Sequence, residues 1–190
     1  MTSSDQQAEF DRMHGYLTAQ GERHSLPELW PRATRARLQL IDALDGVSDE
    51  QAAWSPTPED WSIKEAALHA LNSSRNVRRT LVGLVSNAAP DSFPDPSEIE
   101  PPRRTTDATL DALRHQIRQD AIDWAACIHQ LPERPALTPT APHSQFGDLH
   151  ARAWYLFQRV HDIDHANQID AVKQAPGYPA SPDPASRGAP

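Results

Sequence analysis

The stretch HDIDHANQID, residues 161–170, sets His161 and His165 four positions apart with Asp162 and Asp164 beside them. On a helix both imidazoles leave one face, a turn apart, a spacing at which two histidines can share a divalent ion. A stable site wants three or four ligands. The same face carries Trp154, Phe157 and Val172, so these rings are expected to be buried. A buried imidazole needs partners for both nitrogens, which a shared ion would supply. With 9 histidines in the chain, such a spacing also arises by accident, so the weight falls on whether a third ligand exists.

That ligand must come from another helix. His150 shares the stripe but lies about 16 Å along the axis from His161. His115 and His129 project opposite the apolar stripe of their helix and read as solvated; His14, His24 and His143 fall in arm or loop segments. His69 sits on the shoulder of a buried face, in line with Ser62, Ala66, Ser73 and Asn76. Alone it reads equally well as a boundary histidine; together with His161 and His165 it is the best third ligand.

The elements that must position these residues are helical. Leu26, Leu29, Trp30, Ala33, Leu40, Ile41 and Leu44 form one stripe, interrupted by Arg37, in a helix opening at Ser25 and Pro27 and ending near Gly46. A second helix starts at Ser62, with Ile63, Ala67, Ala70, Leu71, Val77, Leu81 and Leu84 on its apolar face. A third starts at Thr105 or Thr106 and carries Leu110, Leu113, Ile117, Trp124 and Ile128. The fourth starts at a cap on Asp148 and runs to about Gln174; apolar on two sides, it belongs at the centre of its bundle. No segment alternates long enough to predict a strand, and the fold class expected is an all-α four-helix bundle. Prolines cluster at 56–58, 90–102, 132–142 and 176–190, as punctuation between helices. Residues 1–25 read as an N-terminal arm with a weak helical candidate at Gln6–Leu17. Residues 26–178 read as the bundle, and 179–190 as a mobile tail, although Tyr178 is large enough to pack.

Composition narrows the function. A formal charge of −8 argues against a nucleic-acid surface, and the basic groups Arg75, Arg78, Arg79 and Arg103, Arg104 are short and local. No apolar run reaches the roughly 20 residues of a membrane span. The first residues lack a secretory leader's pattern, and a lone cysteine, Cys127, excludes an intrachain disulfide; both fit a cytoplasmic setting.

WSIKEAALHAL at 61–71, HDIDHANQI at 161–169 and the loop SDEQAAWSPTPEDW before them resemble the motifs of the DinB/YfiT-like family, over roughly residues 26–178. The resemblance implies up-down-down-up topology in a four-helix bundle, and a divalent metal, zinc or nickel, on His69, His161 and His165. It also implies homodimers, small-molecule substrates, and thiol S-transfer chemistry with low-molecular-weight thiols such as bacillithiol or mycothiol. A maleylpyruvate isomerase belongs to the same family. The more distant sulfoxide synthases carry a carboxylate where this chain has Asn167, so that activity is not implied. Three imidazoles on a zinc-like ion leave a position open, the pattern of catalytic sites, at which a bound water or thiol is activated. Asp164, three residues beyond His161, is the candidate base; Asp162 and Gln168 could orient a ligand ring. Glu65 reads as an exposed acid paired with an arginine, and Cys127 shares no face with the three histidines. The competing reading is a non-catalytic bundle that binds metal or a small ligand.

Overall fold

The computed structural model describes residues 3–88, 93–95 and 102–180. Among these the chain is mostly helical: α1 (Ser3–Arg23), α2 (Leu26–Ala43), the short α3 (Asp49–Ala53), α4 (Ile63–Val85), α5 (Leu110–Gln130) and α6 (Ala151–Gln174). A two-stranded antiparallel hairpin, β1 (Thr140–His143) and β2 (Gly147–His150), precedes α6.

Three helices begin with the same device. Ser25, Ser48 and Ser62 each accept from the backbone N–H three residues on, while Glu28, Gln51 and Glu65 accept from the cap's own N–H. Two of the four orphan donors at each terminus are thereby satisfied. The starts at Ser25 and Ser62 agree with the sequence reading. Pro31 lies inside α2, so proline is not confined to the connections.

Two other starts differ. Helix α5 is capped by Thr109 rather than opening at Thr105 or Thr106, because the Thr106 hydroxyl takes the Ala108 N–H in a turn and Asp49 takes that of Leu110. Helix α6 is capped by the His150 ring, whose Nδ1 accepts from Ala153 N, and not by Asp148. Asp148 is held in β2 opposite Pro142. Strands of four residues are too short for alternation to reveal.

The N-terminal segment is a helix longer than its Gln6–Leu17 candidate, and it packs on α6. Gly21 permits the approach: a Cβ there would lie 2.6 Å from Cε1 of His150 and 2.9 Å from the nitrogen of Ala153. His150 Nε2 meets the carbonyl of Thr18 at 3.3 Å.

Helix α6 packs against α1, α2 and α4, and α5 packs against α2 and α4. Two apolar clusters fill the interior. One joins Leu26 and Leu29 with Leu81 and Leu84, Trp124 and Ile128, and Trp154 to Phe157. The other joins Leu40 and Ile41 with Ile63 to Leu71, Leu110 to Ile117, and Ala166 to Val172. Tyr178 closes the second cluster edge-on to Trp54 at 5.6 Å, and the Pro179 carbonyl accepts from Gln51. Residues 181–190, most of the expected mobile tail, lie outside the described residues. No helix among the described residues is long and apolar enough to cross a membrane.

Candidate metal centre

Helix α4, started by the Ser62–Glu65 box, carries His69 two turns in; α6 presents His161 and His165 one turn apart. The three rings converge. His161 Nε2 lies 3.1 Å from His69 Nε2 and 3.2 Å from His165 Nε2, and the three can offer ligand atoms all within 4.8 Å of one another. Two nitrogens bound to one tetrahedral ion at about 2.0–2.1 Å sit about 3.3 Å apart, so the donor set fits a divalent cation.

Local chemistry keeps these nitrogens available. Burial, reinforced by His165, His69 and Arg37, holds the His161 imidazole well below its usual range; burial also lowers His165. Both rings are therefore neutral at pH 7, as metal ligation requires. Gln168 Oε1 lies 2.8 Å from His165 Nδ1. A carboxamide oxygen only accepts, so the proton is on Nδ1 and the Nε2 lone pair faces the other rings. His161 Nδ1 is buried without a hydrogen-bond partner. Neutral lone pairs this close repel unless a proton or cation lies between them, so the cluster is electrostatically prepared for an electrophile.

Trp61 and Phe157 wall the cluster. Trp61 stacks on His165 at 6.3 Å and stands edge-on to His69 at 5.0 Å; Phe157 lies 5.4 Å from His161. Trp61 opens the second-helix motif, but nothing in the spacing assigned it to the site.

Of the acids named from the sequence, Asp162 is buried and turns to α2, where Arg37 Nε pairs with it at 3.0 Å; Gln158 donates to it at 2.8 Å. Burial raises its carboxyl to about 6, against the pull of Arg37 and Gln158. Asp164 is exposed, partial desolvation holds its carboxyl above the usual range, and no hydrogen bond joins it to the three rings. Glu65 does pair with an arginine, Arg103 at 2.8 Å, but is buried rather than exposed. Burial pushes its carboxyl up, and bonds from Arg103 and Ser62 outweigh that and hold it below the usual range.

The remaining histidines keep apart. His115 and His129 are exposed, His150 caps α6, and His143 is buried in the hairpin among Phe146, Trp154 and Phe157. Cys127 packs half-buried against the first apolar cluster, where burial pushes its thiol up. Arg37 was visible only as the charge interrupting the α2 stripe; it reaches Asp162, Asp120 at 3.5 Å and Ser74 at 2.5 Å.

The chain is largely helical, and three histidines from two of its helices, His69 and His161 buried and His165 partly buried, cluster closely enough that they could hold a metal ion. The DinB superfamily model matches residues 32–169, and the chain belongs to that superfamily. It is similar to the uncharacterized protein YuaE of Bacillus subtilis (strain 168), 26% identical over 159 residues, covering 73% of this chain and 93% of YuaE. No solved structure matches it at a significant level.

Proposed function

We propose that the chain is a divalent-metal-dependent enzyme of the thiol S-transferase type, with zinc or nickel held by His69, His161 and His165. The observation that carries the reading is the meeting of three Nε2 atoms, two of the separations being 3.1 and 3.2 Å, with burial lowering the His161 and His165 imidazoles. When bound, the ion supplies a Lewis acid with a position open to a low-molecular-weight thiol.

The chain's own groups do the rest. Gln168 fixes the His165 tautomer, and Trp61 limits solvent on one side. Asp164, exposed on the turn that carries His165, is the candidate acceptor of the thiol proton as sulfur bonds to an electrophilic carbon and the leaving group departs. The grouping of helix ends supports an up-down-down-up four-helix bundle of α2, α4, α5 and α6. The first halves of α2 and α6 share a cluster with the last halves of α4 and α5, and the reverse holds in the second cluster. A homodimer, a small-molecule substrate and a cytoplasmic setting complete the proposal.

The alternative, a non-catalytic metal- or ligand-binding bundle, is favoured by Asp164 making no bond to the rings. Elemental analysis of protein purified without a histidine tag tests the metal. Turnover of an electrophile by the loaded protein with a panel of cellular thiols then separates enzyme from binder. Loaded protein with no thiol-dependent turnover would leave the binding reading.

A further inference from the structure

The two most exposed large apolar side chains among the described residues stand on neighbouring helices. Leu38 of α2 is 52% exposed and Ile122 of α5 is 61% exposed. Neither belongs to the buried stripe of its helix, which runs through Leu40 and Ile41 in α2 and through Ile117 and Trp124 in α5. Leu38 and Ala121, the chain neighbour of Ile122, border one apolar cleft between the two helices, with Trp30 and Ala33 beside them. Half-buried Ala125 extends this strip by a turn of α5. An apolar patch of this kind on a folded chain marks an interaction surface.

Charges flank the apolar centre in a fixed order. Arg32, Arg35, Leu38, Asp42 and Asp45 follow one another on the exposed side of α2 and at its end. Arg35, Leu38, Gln39 and Asp42 also border a single groove on the side of α2 that faces α6. Asp170 and Lys173 share that groove but pair with each other at 3.2 Å, and Asp45 pairs with Arg118 at 3.4 Å. Among the described residues Arg32, Arg35 and Asp42 enter no ion pair within the chain.

The order of these charges selects the partner. Arg35 lies about 4.5 Å along the helix before Leu38, and Asp42 about 6 Å after it. A two-fold axis beside Leu38, normal to α2, therefore sets Arg35 of each copy against Asp42 of the other. The face is complementary to itself, as an interface between identical chains requires. A parallel arrangement would set Arg35 against Arg35, and a partner of one charge sign would match one end and repel the other. We propose that the α2–α5 face is the homodimer interface. Two copies pack α2 against α2 antiparallel, with Leu38 and Ile122 at the centre and reciprocal Arg35–Asp42 ion pairs at the rim. This names the surface of the homodimer proposed above and rests on that reading, but not on the metal.

Light scattering and sedimentation velocity of the full chain at micromolar concentration test it. The parent is expected to be a dimer. Leu38→Glu and Ile122→Glu, both at exposed positions, should each leave a monomer with unchanged helical circular dichroism. Arg35→Asp and Asp42→Arg should each weaken dimerisation about tenfold, because each turns two symmetry-related attractions into repulsions. Mixed in equal amounts, these two variants should form a heterodimer within about twofold of the parent's affinity, since every facing pair is again of opposite sign. A monomeric parent overturns the homodimer and this face together. A dimer as tight in both glutamate variants as in the parent overturns the face alone and leaves the homodimer standing through another surface. A mixture of the charge variants that stays as weak as either one overturns the antiparallel pairing.

Discussion

Gln168 Oε1 meets His165 Nδ1 at 2.8 Å across one turn of α6, and this contact decides which nitrogen of His165 faces His161. Hydrogen-bonded supports of this kind are worth about 10–100-fold in metal affinity. Gln168→Leu should therefore weaken zinc binding by about that factor in a competition titration with a coloured chelator. Gln168→Glu, which retains an acceptor, should keep most of it. Equal affinity for the leucine variant and the parent would mean that the tautomer is set elsewhere.

His69→Ala, His161→Ala and His165→Ala should each sharply reduce bound metal, since two imidazoles hold a zinc-like ion far more weakly than three. Each variant should keep its helical circular dichroism, because the apolar clusters are untouched. His115→Ala and His129→Ala, both exposed, should retain full occupancy by elemental analysis. Full occupancy in His69→Ala with loss in His161→Ala would remove α4 from the site.

His143 predicts a pH dependence of stability. Burial lowers its imidazole to about 4, from 6.5 in a free chain. The unfolded chain takes up this proton first, so the contribution to stability is full above pH 6.5 and falls away as pH drops toward 4. Over that window the loss is about 3 kcal/mol. Asp162, raised to about 6, works in the opposite sense between pH 6 and 3.8, so the His143 term must be read as a difference. His143→Asn keeps an acceptor for the Gln145 and Phe146 N–H groups but cannot titrate. Urea melts at pH 7 and pH 4 should show the parent losing about 3 kcal/mol more than the variant; parallel losses would mean His143 is not held neutral.

The convergence of the three histidines was legible because helical periodicity alone aligns His161 with His165, and because Ser62 and Glu65 mark where α4 begins. Residues 61–71 and 161–169 also carry their motif locally. The hairpin was not legible: Thr140–His143 and Gly147–His150 are too short for a period, and pairing is a long-range fact. Once the hairpin forms, Asp148 is lost to it and His150 inherits the cap. Helix α1 has weak amphipathicity of its own, and its order comes from fitting Gly21 against the start of α6, a contact 129 positions away at His150. Trp61 and Arg37 act on residues of other helices, so their roles could not be read from their own segments.

Arg37 is the clearest case, and it yields the last expectation. Its guanidinium is buried between Asp162 at 3.0 Å and Asp120 at 3.5 Å, and it donates to Ser74, which also takes the Trp124 indole N–H at 2.8 Å. Arg78 supplies a second cation to Asp120 at 2.7 Å, whereas among the described residues Arg37 is the cation paired with Asp162. Arg37→Met keeps much of the side chain's volume and strands the Asp162 carboxylate in the interior, a change that costs about 3–5 kcal/mol for a broken buried pair. The remedy is chemical. Adding Asp162→Asn removes the stranded charge while retaining an oxygen for the Gln158 amide, and it should recover a large part of the loss. Chemical denaturation of the two single variants and the double variant measures the coupling. Additive losses would mean that Arg37 acts through Ser74 and Asp120, and that Asp162 is held by Gln158 alone.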